Sequence, residues 1–379
     1  MSRSSTVAEA RAALEPQLGE MVALLGELVE IESPTDDRAG LDRMMARLVE
    51  LFAPFGTIER FTQPTNGDHF VVRIPGRTEE PPSLALCHYD TVWATGSLAA
   101  NPFRIEDGIA RGPGSFDMKG GIVCLLYALR VLEGPPRRPL WIFFNSDEES
   151  GSHSSRAIIE QLAVHCAHAL VYESPLTQGA LKTARKGTGR FNITIEGRAA
   201  HAGVEPEKGI SAVLEAAHQV MRLHGLNALE HGTTLNVGVL HAGTRANVVP
   251  ARAELEVDVR VSRADEAARI ESALRGLAPV LLGARINVRG GLHRPPMERI
   301  PATAALFARA HAIAAAMDVE LGEGATGGGS DGNFTAALGL GTLDGLGPEG
   351  QGAHADDEQV IVASLPRRAA LSAGLLAAL

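Results

Sequence analysis

The chain has 379 residues, more than one ordinary hydrophobic core serves, so two domains are expected. Its composition, with 45% hydrophobic and 21% charged residues, is that of a globular protein without low-complexity tracts. A net charge of -10 and an aromatic content of 4% argue against a nucleic-acid partner, and the charge also argues against binding to an anionic membrane.

Targeting signals and cysteine usage suggest a compartment. Residues 1–18 lack the continuous apolar segment of a signal peptide, and no run approaches the roughly 18 apolar residues of a membrane span. The three cysteines, Cys87, Cys124 and Cys166, form no Cys-x-x-Cys pair and are odd in number. These features predict a cytoplasmic protein with reduced thiols.

The first half of the chain alternates helices and strands. Apolar residues at helical spacing predict helices at 18–29 and 41–52, and strand-like runs follow at 57–62 and 70–74. Buried strands are predicted at 83–87, 140–144 and 169–172, separated by helices at 122–132 and 154–164. Strands that alternate with helices predict an α/β fold, with a mostly parallel sheet flanked by helices on both faces.

The pattern changes between residues 187 and 293. Alternating strands at 190–196, 233–240, 253–261 and 284–288 are interrupted by helices at 210–223 and 264–277. The order β-α-β-β-α-β predicts an inserted ferredoxin-like domain at 187–293. Residues 1–186 and 294–379 are then expected to form the other domain, which resumes with a helix at 302–317 and closes with a helix at 365–379.

The predicted strand at 140–144 leads into three consecutive acids, Asp147, Glu148 and Glu149. Neighbouring side chains of an extended chain point to opposite sides, so Glu148 and Glu149 are expected to do different jobs. One can bind a metal ion while the other faces a water molecule held by that metal. Taken alone, such a triplet is more often a solvated loop, so residues elsewhere in the chain must decide.

Five candidate metal ligands lie where predicted strands meet loops: His88, Asp117, Glu149, Glu173 and His354. These loops should converge, because sites in open α/β sheets form outside the carboxyl ends of the strands. Imidazole and carboxylate suit zinc, and five such groups exceed the needs of one tetrahedral ion, which favours two metal ions. Asp90 is placed to hold the second imidazole nitrogen of His88, and Glu148 is then free to take a proton from water.

Each candidate also has an ordinary structural interpretation. His88 alone is more often a histidine at a strand end, Asp117 can cap the following helix, and Glu173 can be a solvated strand end. His354 is followed by three acids that predict a charged, solvated loop, namely Asp356, Asp357 and Glu358. The five candidates together, with Asp90 at the matching spacing, favour the metal centre.

Five motifs in order resemble those of a known family: His88-Tyr89-Asp90-Thr91-Val92, Gly112-Pro113-Gly114 with Asp117-Met118-Lys119-Gly120-Gly121, Asp147-Glu148-Glu149, Glu173, and Gly352-Ala353-His354. They are similar to the motifs of the two-zinc exopeptidases and deacylases, which include glutamate carboxypeptidase, acetylornithine deacetylase, succinyl-diaminopimelate desuccinylase and aminoacylase. The resemblance covers nearly the whole chain. It is strongest to the bacterial glutamate carboxypeptidase branch, whose late loops resemble Gly328-Gly329-Ser330-Asp331 and Gly345-Leu346-Gly347.

The resemblance implies a dinuclear metal centre. Asp117 would bridge two divalent ions, with Zn²⁺ favoured and Co²⁺ or Mn²⁺ as alternatives. His88 and Glu173 would complete one metal site, and Glu149 and His354 would complete the other.

The resemblance also implies the catalytic groups. Glu148 would be the general base and later the proton donor to the leaving amine, and Asp90 would support the centre from behind. A cis peptide bond is expected at Asp117-Met118.

The inserted domain is expected to contribute to substrate binding. By resemblance, His201 would steady the oxyanion in the active site of a neighbouring subunit, which requires a homodimer formed through this domain. Asn247 and Arg260 match positions that hold the free carboxylate of the substrate, a role that suits guanidinium chemistry. Gly328 and Gly329 are expected to line the substrate pocket.

The function predicted from these residues is hydrolysis of an amide bond next to a free α-carboxylate. The substrate would be a small molecule: an N-acyl amino acid, a folate-like glutamate or a dipeptide. A carboxypeptidase that releases C-terminal glutamate or a similar residue is favoured, and an N-acetyl or N-succinyl amino acid deacylase is the alternative. A non-catalytic, metal-binding dimeric homologue is less favoured because Glu148 is present, and a serine or cysteine hydrolase is a further, less favoured class.

Overall fold

The computed structural model describes residues 3–379, and the chain divides into two compact units. The first unit comprises the chain up to Thr183, Arg299–Thr326 and Ser330–Leu379, and the second comprises Ala184–Glu298 and Gly327–Gly329. Because each unit has a hydrophobic core of its own, each is described separately.

The helices are numbered in chain order through both units. They are α1 (Arg3–Leu14), α2 (Leu18–Glu30), α3 (Arg38–Phe52), α4 (Ser97–Ala100), α5 (Gly120–Val131), α6 (Arg156–Ala163), α7 (Ala212–His224), α8 (Ala264–Arg275), α9 (Pro301–Ala315), α10 (Gly332–Ala337) and α11 (Ser364–Ala378). None of these helices is long and apolar enough to span a lipid bilayer, a finding that covers residues 3–379.

The strands follow the same numbering. They are β1 (Thr57–Phe61), β2 (His69–Ile74), β3 (Ser83–His88), β4 (Arg104–Glu106), β5 (Ile109–Arg111), β6 (Leu140–Asn145), β7 (His168–Val171), β8 (Leu181–Arg185), β9 (Gly187–Glu196), β10 (Thr234–Ala242), β11 (Arg252–Val261), β12 (Arg285–Arg294), β13 (Glu323–Thr326), β14 (Thr342–Leu343), β15 (Gly350–Gln351) and β16 (Gln359–Ile361).

The first unit is organised around a mixed sheet whose order, within the described residues, is β1-β2-β6-β3-β7-β14. The pairs β6-β3, β3-β7 and β7-β14 are parallel. At the other edge, β2 pairs antiparallel with both β6 and β1. Alternate residues of β3 enter different clusters, because Ala85 and Cys87 pack with the α5 and α11 side and Leu84 and Leu86 pack with the α6 side. The predicted α/β fold, with a mostly parallel sheet covered on both faces, is confirmed.

Two smaller sheets were not predicted from the sequence. One pairs β8 with β13, and the other has the order β15-β16-β5-β4. In the second of these sheets, β16 pairs antiparallel with β5. This pairing places the segment that follows His354 beside the segment that leads to Asp117.

The second unit contains the elements β9-α7-β10-β11-α8-β12. Its antiparallel sheet has the order β10-β11-β9-β12, and alternate residues of β9 and β11, among them Phe191, Ile193, Leu255 and Val257, form the core with the helices. The predicted ferredoxin-like β-α-β-β-α-β order is therefore confirmed. The last strand is longer than its pattern suggested, since β12 continues to Arg294.

Candidate metal centre

Three neighbouring strands of the first unit end at the candidate ligands. His88 is the last residue of β3, the acids Asp147–Glu149 follow β6, and Glu173 lies two residues beyond β7. Because β6, β3 and β7 are adjacent and parallel, their carboxyl ends meet at one edge of the sheet.

Two loops bring the remaining candidates to this edge. Asp117 lies in a tight turn, Ser115–Lys119, directly before α5, and the peptide bond Asp117-Met118 is cis, as the family resemblance implied. Gly114 opens the turn with a φ of 70°, in the left-handed region that favours glycine. His354 lies between β15 and β16, also with a positive φ, of 64°.

The structure brings all five candidate ligands together around the carboxylate of Asp117. One oxygen of Asp117, Oδ1, lies 3.1 Å from Nε2 of His88, and the other, Oδ2, lies 3.4 Å from Nε2 of His354. A Glu173 oxygen lies 3.6 Å from the same nitrogen of His88. A Glu149 oxygen lies 3.1 Å from the same nitrogen of His354. Each half thus contains one imidazole and one glutamate, and Asp117 belongs to both.

Glu148 lies near His88 and Glu173. Ligand-type atoms of His88, Glu148 and Glu173 all lie within 4.8 Å of one another, and so do those of His88, Asp117 and Glu149. The two neighbouring glutamates therefore occupy different surroundings, as the alternation of an extended chain predicted.

Asp90 links the histidine to the acidic turn. Its carboxylate accepts hydrogen bonds from the backbone N–H groups of Glu148 and Glu149, each at 3.2 Å, and from the hydroxyl of Thr35 at 2.7 Å. Nδ1 of His88 lies 3.0 Å from the backbone carbonyl of Asp90 and 3.5 Å from its carboxylate. Asp90 thus supports His88 as expected, but its backbone oxygen is the nearer partner.

Burial and opposite charges shift the pKa values of these groups. Burial raises the pKa of Asp117, but contacts with His354 and His88 outweigh it and hold that pKa well below its usual range. Burial alone would lower the pKa of His88, yet the facing carboxylates of Asp117, Asp90 and Glu173 raise it well above its ordinary value. Burial is the main cause that raises the pKa of Glu149 to about 7.

These residues fit a pair of divalent cations. The side chain of Glu149 is only 5% exposed, and its Oε1 atom has no hydrogen-bond partner among the described residues. A buried carboxylate oxygen without a donor is costly unless a cation neutralises it. Two imidazoles and two carboxylates around one shared carboxylate match the ligands that zinc and similar ions take.

Several residues support the centre in ways that were not predicted from the sequence. Asp147 accepts hydrogen bonds from the backbone and hydroxyl of Ser154, both at 2.7 Å, and so closes the turn that carries Glu148. Asn145 donates to Asp331 at 2.7 Å, and Ser152 donates to the other oxygen of Asp331. The sequence does not indicate the contact between Asn145 and Asp331, because the two residues are 186 positions apart in the chain.

The acidic run after His354 corrects one expectation. Asp356 and Asp357 are exposed, as a solvated loop requires, but Glu358 is completely buried. Its carboxylate accepts hydrogen bonds from Trp93 and from backbone groups of the turn that carries Asp117. The interpretation of all three acids as a charged surface loop is therefore wrong for Glu358.

The remaining candidates lie in the second unit. His201 and Asn247 are exposed and are on neighbouring extended segments, because the N–H of Ala202 donates to the carbonyl of Asn247 at 3.0 Å. Arg260 pairs with Asp258, with Nε 3.1 Å from the carboxylate, and its Nη1 donates to the carbonyl of Gly327 at 3.4 Å.

The two glycines predicted to line the pocket belong to the same unit. Gly328 and Gly329 both accept hydrogen bonds from Arg185, at 3.3 Å and 3.0 Å. Arg185 is buried and was not chosen as a site residue from the sequence. The roles of these residues in substrate binding stay predictions.

Comparisons with known proteins identify the family of the chain. Residues 84–378 match the model of peptidase family M20/M25/M40, a range that contains every candidate ligand. Carboxypeptidase G2 from Pseudomonas sp. (strain RS-16) is 32% identical over 368 residues, which cover 94% of this chain and 88% of that protein.

Two solved structures share the fold. Aminopeptidase PepT from Bacillus cereus has a TM-score of 0.77 at 23% identity, covering 95% of this chain and 98% of that chain. The YXEP protein of Bacillus subtilis, described as a dinuclear metal-binding peptidase of the M20 family, has a TM-score of 0.65 at 15% identity, covering 96% and 98% of the two chains. The chain belongs to peptidase family M20/M25/M40 and is a metallo-exopeptidase of the carboxypeptidase G2-like kind.

Proposed function

We propose that the protein is a carboxypeptidase that hydrolyses the amide bond next to a free α-carboxylate, releasing C-terminal glutamate or a similar residue from a small substrate. The observation that carries this proposal is the Asp117 carboxylate, whose two oxygens face different imidazoles, each accompanied by a buried glutamate. Similarity to carboxypeptidase G2 over 94% of the chain supports the choice of a carboxypeptidase over other hydrolases.

The centre would hold two divalent cations, which we take to be Zn²⁺. His88 and Glu173 would hold one, His354 and Glu149 the other, and Asp117 would contact both. When bound, such a pair lowers the pKa of a water molecule between the ions and polarises the scissile carbonyl. Imidazole with carboxylate favours zinc, and Co²⁺ or Mn²⁺ can use the same ligands.

Glu148 is positioned to move the proton. It accepts a proton from the attacking water while the water oxygen bonds to the carbonyl carbon, and it returns that proton to the nitrogen as the C–N bond breaks. The backbone N–H groups of Glu148 and Glu149 are both held by Asp90, which fixes the direction of each side chain.

The inserted domain, 187–293, would act as a lid and as the dimer contact. Arg260 and Asn247 would bind the free carboxylate, beside the backbone of Gly328 and Gly329. Arg260 uses Nε and Nη2 for Asp258, and its Nη1 faces the Gly327 carbonyl, so the guanidinium is held close to the glycine segment. His201 would reach the active site of the partner subunit and stabilise the oxyanion.

A hydrolysis panel combined with metal analysis tests the proposal. The panel contains N-acyl glutamates, dipeptides with a C-terminal glutamate, acetylornithine and, as a matched control, an N-acyl glutamate whose α-carboxylate is amidated. We expect turnover of the first two, loss of turnover after treatment with a chelator, and recovery with Zn²⁺, Co²⁺ or Mn²⁺.

The controls separate the alternatives. Preference for acetylornithine over N-acyl glutamates would identify a deacylase instead of a carboxypeptidase. Equal rates for the free and amidated substrates, or activity that survives complete metal removal, would contradict the proposal.

A further inference from the structure

Glu358 is a buried carboxylate with a complete set of hydrogen bonds. It is 0% exposed, and one oxygen accepts from the backbone N–H groups of Phe116 at 2.8 Å and Asp117 at 2.9 Å. The other oxygen accepts from the backbone N–H of Gly114 and from the indole N–H of Trp93, both at 2.8 Å. Four donors thus converge on one side chain, and three of them belong to the turn that carries Asp117.

These bonds join three segments that each carry a candidate ligand. Trp93 follows His88 by five residues, and Glu358 follows His354 by four residues. Between them lies the turn that carries Asp117. The two oxygens of Asp117 face His88 and His354, so the Asp117 side chain contacts the other two segments through their histidines. Glu358 connects the same three segments through hydrogen bonds that do not involve the candidate ligands' side chains.

Two other N–H groups of the turn have backbone acceptors, since Ser115 donates to the carbonyl of Gly112 at 3.1 Å and Lys119 donates to that of Gly114 at 3.0 Å. Strands β5 and β16 pair as far as Arg111 and Gln359, and the regular ladder ends there. Glu358 therefore takes over as the acceptor where the strand pairing stops. Bonds from N–H groups to a carboxylate are stronger than those to a neutral acceptor, so the turn is held in one conformation. Lys119 lies on the same turn with its ammonium group buried on the carbonyl of Ile31, at 3.0 Å, and is attracted to the charge of Glu358.

We propose that Glu358 is a positioning residue of the metal centre, which sets the place of the Asp117 carboxylate between the two histidines by holding the 114–117 backbone and Trp93. The inference rests on the proposed function, because it assigns Asp117 to the metal ions. It goes further in naming a residue that touches neither metal nor substrate and yet governs metal affinity.

Three variants test the role. Glu358→Gln keeps the size of the side chain but turns an amide NH₂ toward backbone donors. Trp93→Phe removes only the indole donor, which is a milder change. Asp356→Asn is the matched control, since it removes the same charge from the same loop at an exposed position.

The measurements are Zn²⁺ affinity by competition with a chelating dye, the absorption spectrum of the Co²⁺-loaded protein, and hydrogen exchange of residues 112–118 in the metal-free protein. Removing an outer partner of a metal ligand typically weakens metal binding about 10–100-fold, and we expect a loss in this range for Glu358→Gln. Trp93→Phe should show a smaller loss, and Asp356→Asn none. The Co²⁺ spectrum should change and hydrogen exchange should accelerate in the same order.

Each outcome decides the inference. A folded Glu358→Gln variant with the metal affinity and Co²⁺ spectrum of Asp356→Asn overturns it. If Glu358→Gln does not fold, Trp93→Phe decides, and unchanged affinity and exchange in that variant overturn it as well. A wild-type protein that takes up no metal would refute the proposed function instead, while hydrogen exchange in the metal-free variants still shows whether Glu358 holds the turn.

Discussion

Two adjacent glutamates in this molecule have different environments. Glu149 lies 3.1 Å from Nε2 of His354, whereas Glu148 lies near His88 and Glu173. The partners therefore differ, and a carboxylate paired with a second imidazole is suited to bind a cation beside it.

The first prediction compares the two glutamates directly. Glu148→Gln should retain bound metal and lower kcat about 10²–10⁴-fold, since a positioned acid–base group contributes an effect of this size. Glu149→Gln should instead reduce the metal content. Metal analysis and steady-state kinetics of both variants check this. Full activity of Glu148→Gln would show that another group takes the proton.

His168 provides a pH-dependent contribution to stability far from the metal centre. It begins β7, and its Nε2 is buried without a hydrogen-bond partner among the described residues. Burial, with the nearby charges of Arg138 and Arg309, lowers its pKa from the ordinary value of 6.5 to about 4. Between these two pH values the unfolded chain binds more protons than the folded one, so acid favours unfolding.

The second prediction concerns this histidine. Above pH 6.5 this histidine does not lower the free energy of unfolding. As the pH falls toward 4, the free energy of unfolding decreases by up to about 3 kcal/mol for a pKa shift of this size. His168→Gln should therefore lose part of the acid sensitivity of the wild-type protein. Urea unfolding between pH 4 and 7 measures it, with His165→Gln, at an exposed position, as the control. An unchanged slope of stability against pH would refute the assignment.

The residues of the centre differ in how far the sequence identified them. His88, Asp117, Glu149, Glu173 and His354 were identified because each ends a predicted strand or opens a loop in a family motif. Glu358 was not, because an acidic run predicts a solvated loop and only the tertiary fold buries its last member.

Among the elements, α5 passes close to the backbone at the end of β7. A Cβ atom on Gly121 would lie 1.8 Å from the backbone oxygen of Tyr172, so only glycine fits where α5 passes the end of β7. This contact sets the spacing between the segment of Asp117, just before α5, and Glu173, just after Tyr172.

The third prediction uses two glycines in helices. Gly121→Ala should destabilise the protein by about 1–3 kcal/mol, the usual cost of overpacking, and should weaken metal binding as α5 moves away from Glu173. Gly19→Ala is the control, because its Cβ would meet nothing within 4 Å in α2. It should stabilise the protein by up to about 1 kcal/mol through helix propensity. Thermal unfolding of both variants gives the comparison, and a neutral Gly121→Ala would contradict the close contact.

Elements with a clear apolar pattern were predicted more readily than short ones. Strands β3 and β6 and the two helices of the inserted unit follow apolar patterns of five residues or more. The pairings β15-β16 and β5-β16 involve strands of only two or three residues, whose stability comes from their neighbours rather than from their own sequence. Helix α1 was not predicted. Of its residues 7–14, Val7 and Leu14 are buried and the others are half-buried or exposed, so the apolar pattern is weak.

At the scale of the whole molecule, the second unit is inserted into the sequence of the first, and each unit has its own hydrophobic core. The insertion was predicted because its strands alternate, whereas the strands of the first unit are continuously apolar. The second unit also includes Gly327–Gly329. No local sequence pattern indicates this, because these glycines directly follow β13 of the first unit.

The fourth prediction tests the proposed sharing of sites between subunits. Glu148→Gln and His201→Ala should each be nearly inactive alone. In a mixed dimer, one site has an intact Glu148 and receives an intact His201 from the partner, so an equal mixture should recover roughly one quarter of wild-type activity. Remixing after partial denaturation, followed by kinetics, measures this.

If the mixture shows only the sum of the activities of the two separate variants, the proposal that the subunits share active sites is contradicted. No recovery, in a mixture shown to exchange subunits, would mean that His201 acts within its own chain or not at all. Co-purification of an untagged Glu148→Gln chain with a tagged wild-type chain is the control for subunit exchange.

The centre draws its ligands unevenly from the chain, and this has a consequence for biosynthesis. His88, Asp117 and Glu173 all precede the inserted unit, whereas His354 follows it. A ribosome therefore releases one half of the centre well before the other. Nascent chains that end before residue 354 should capture a single ion at most, and the second should enter only when synthesis is almost complete.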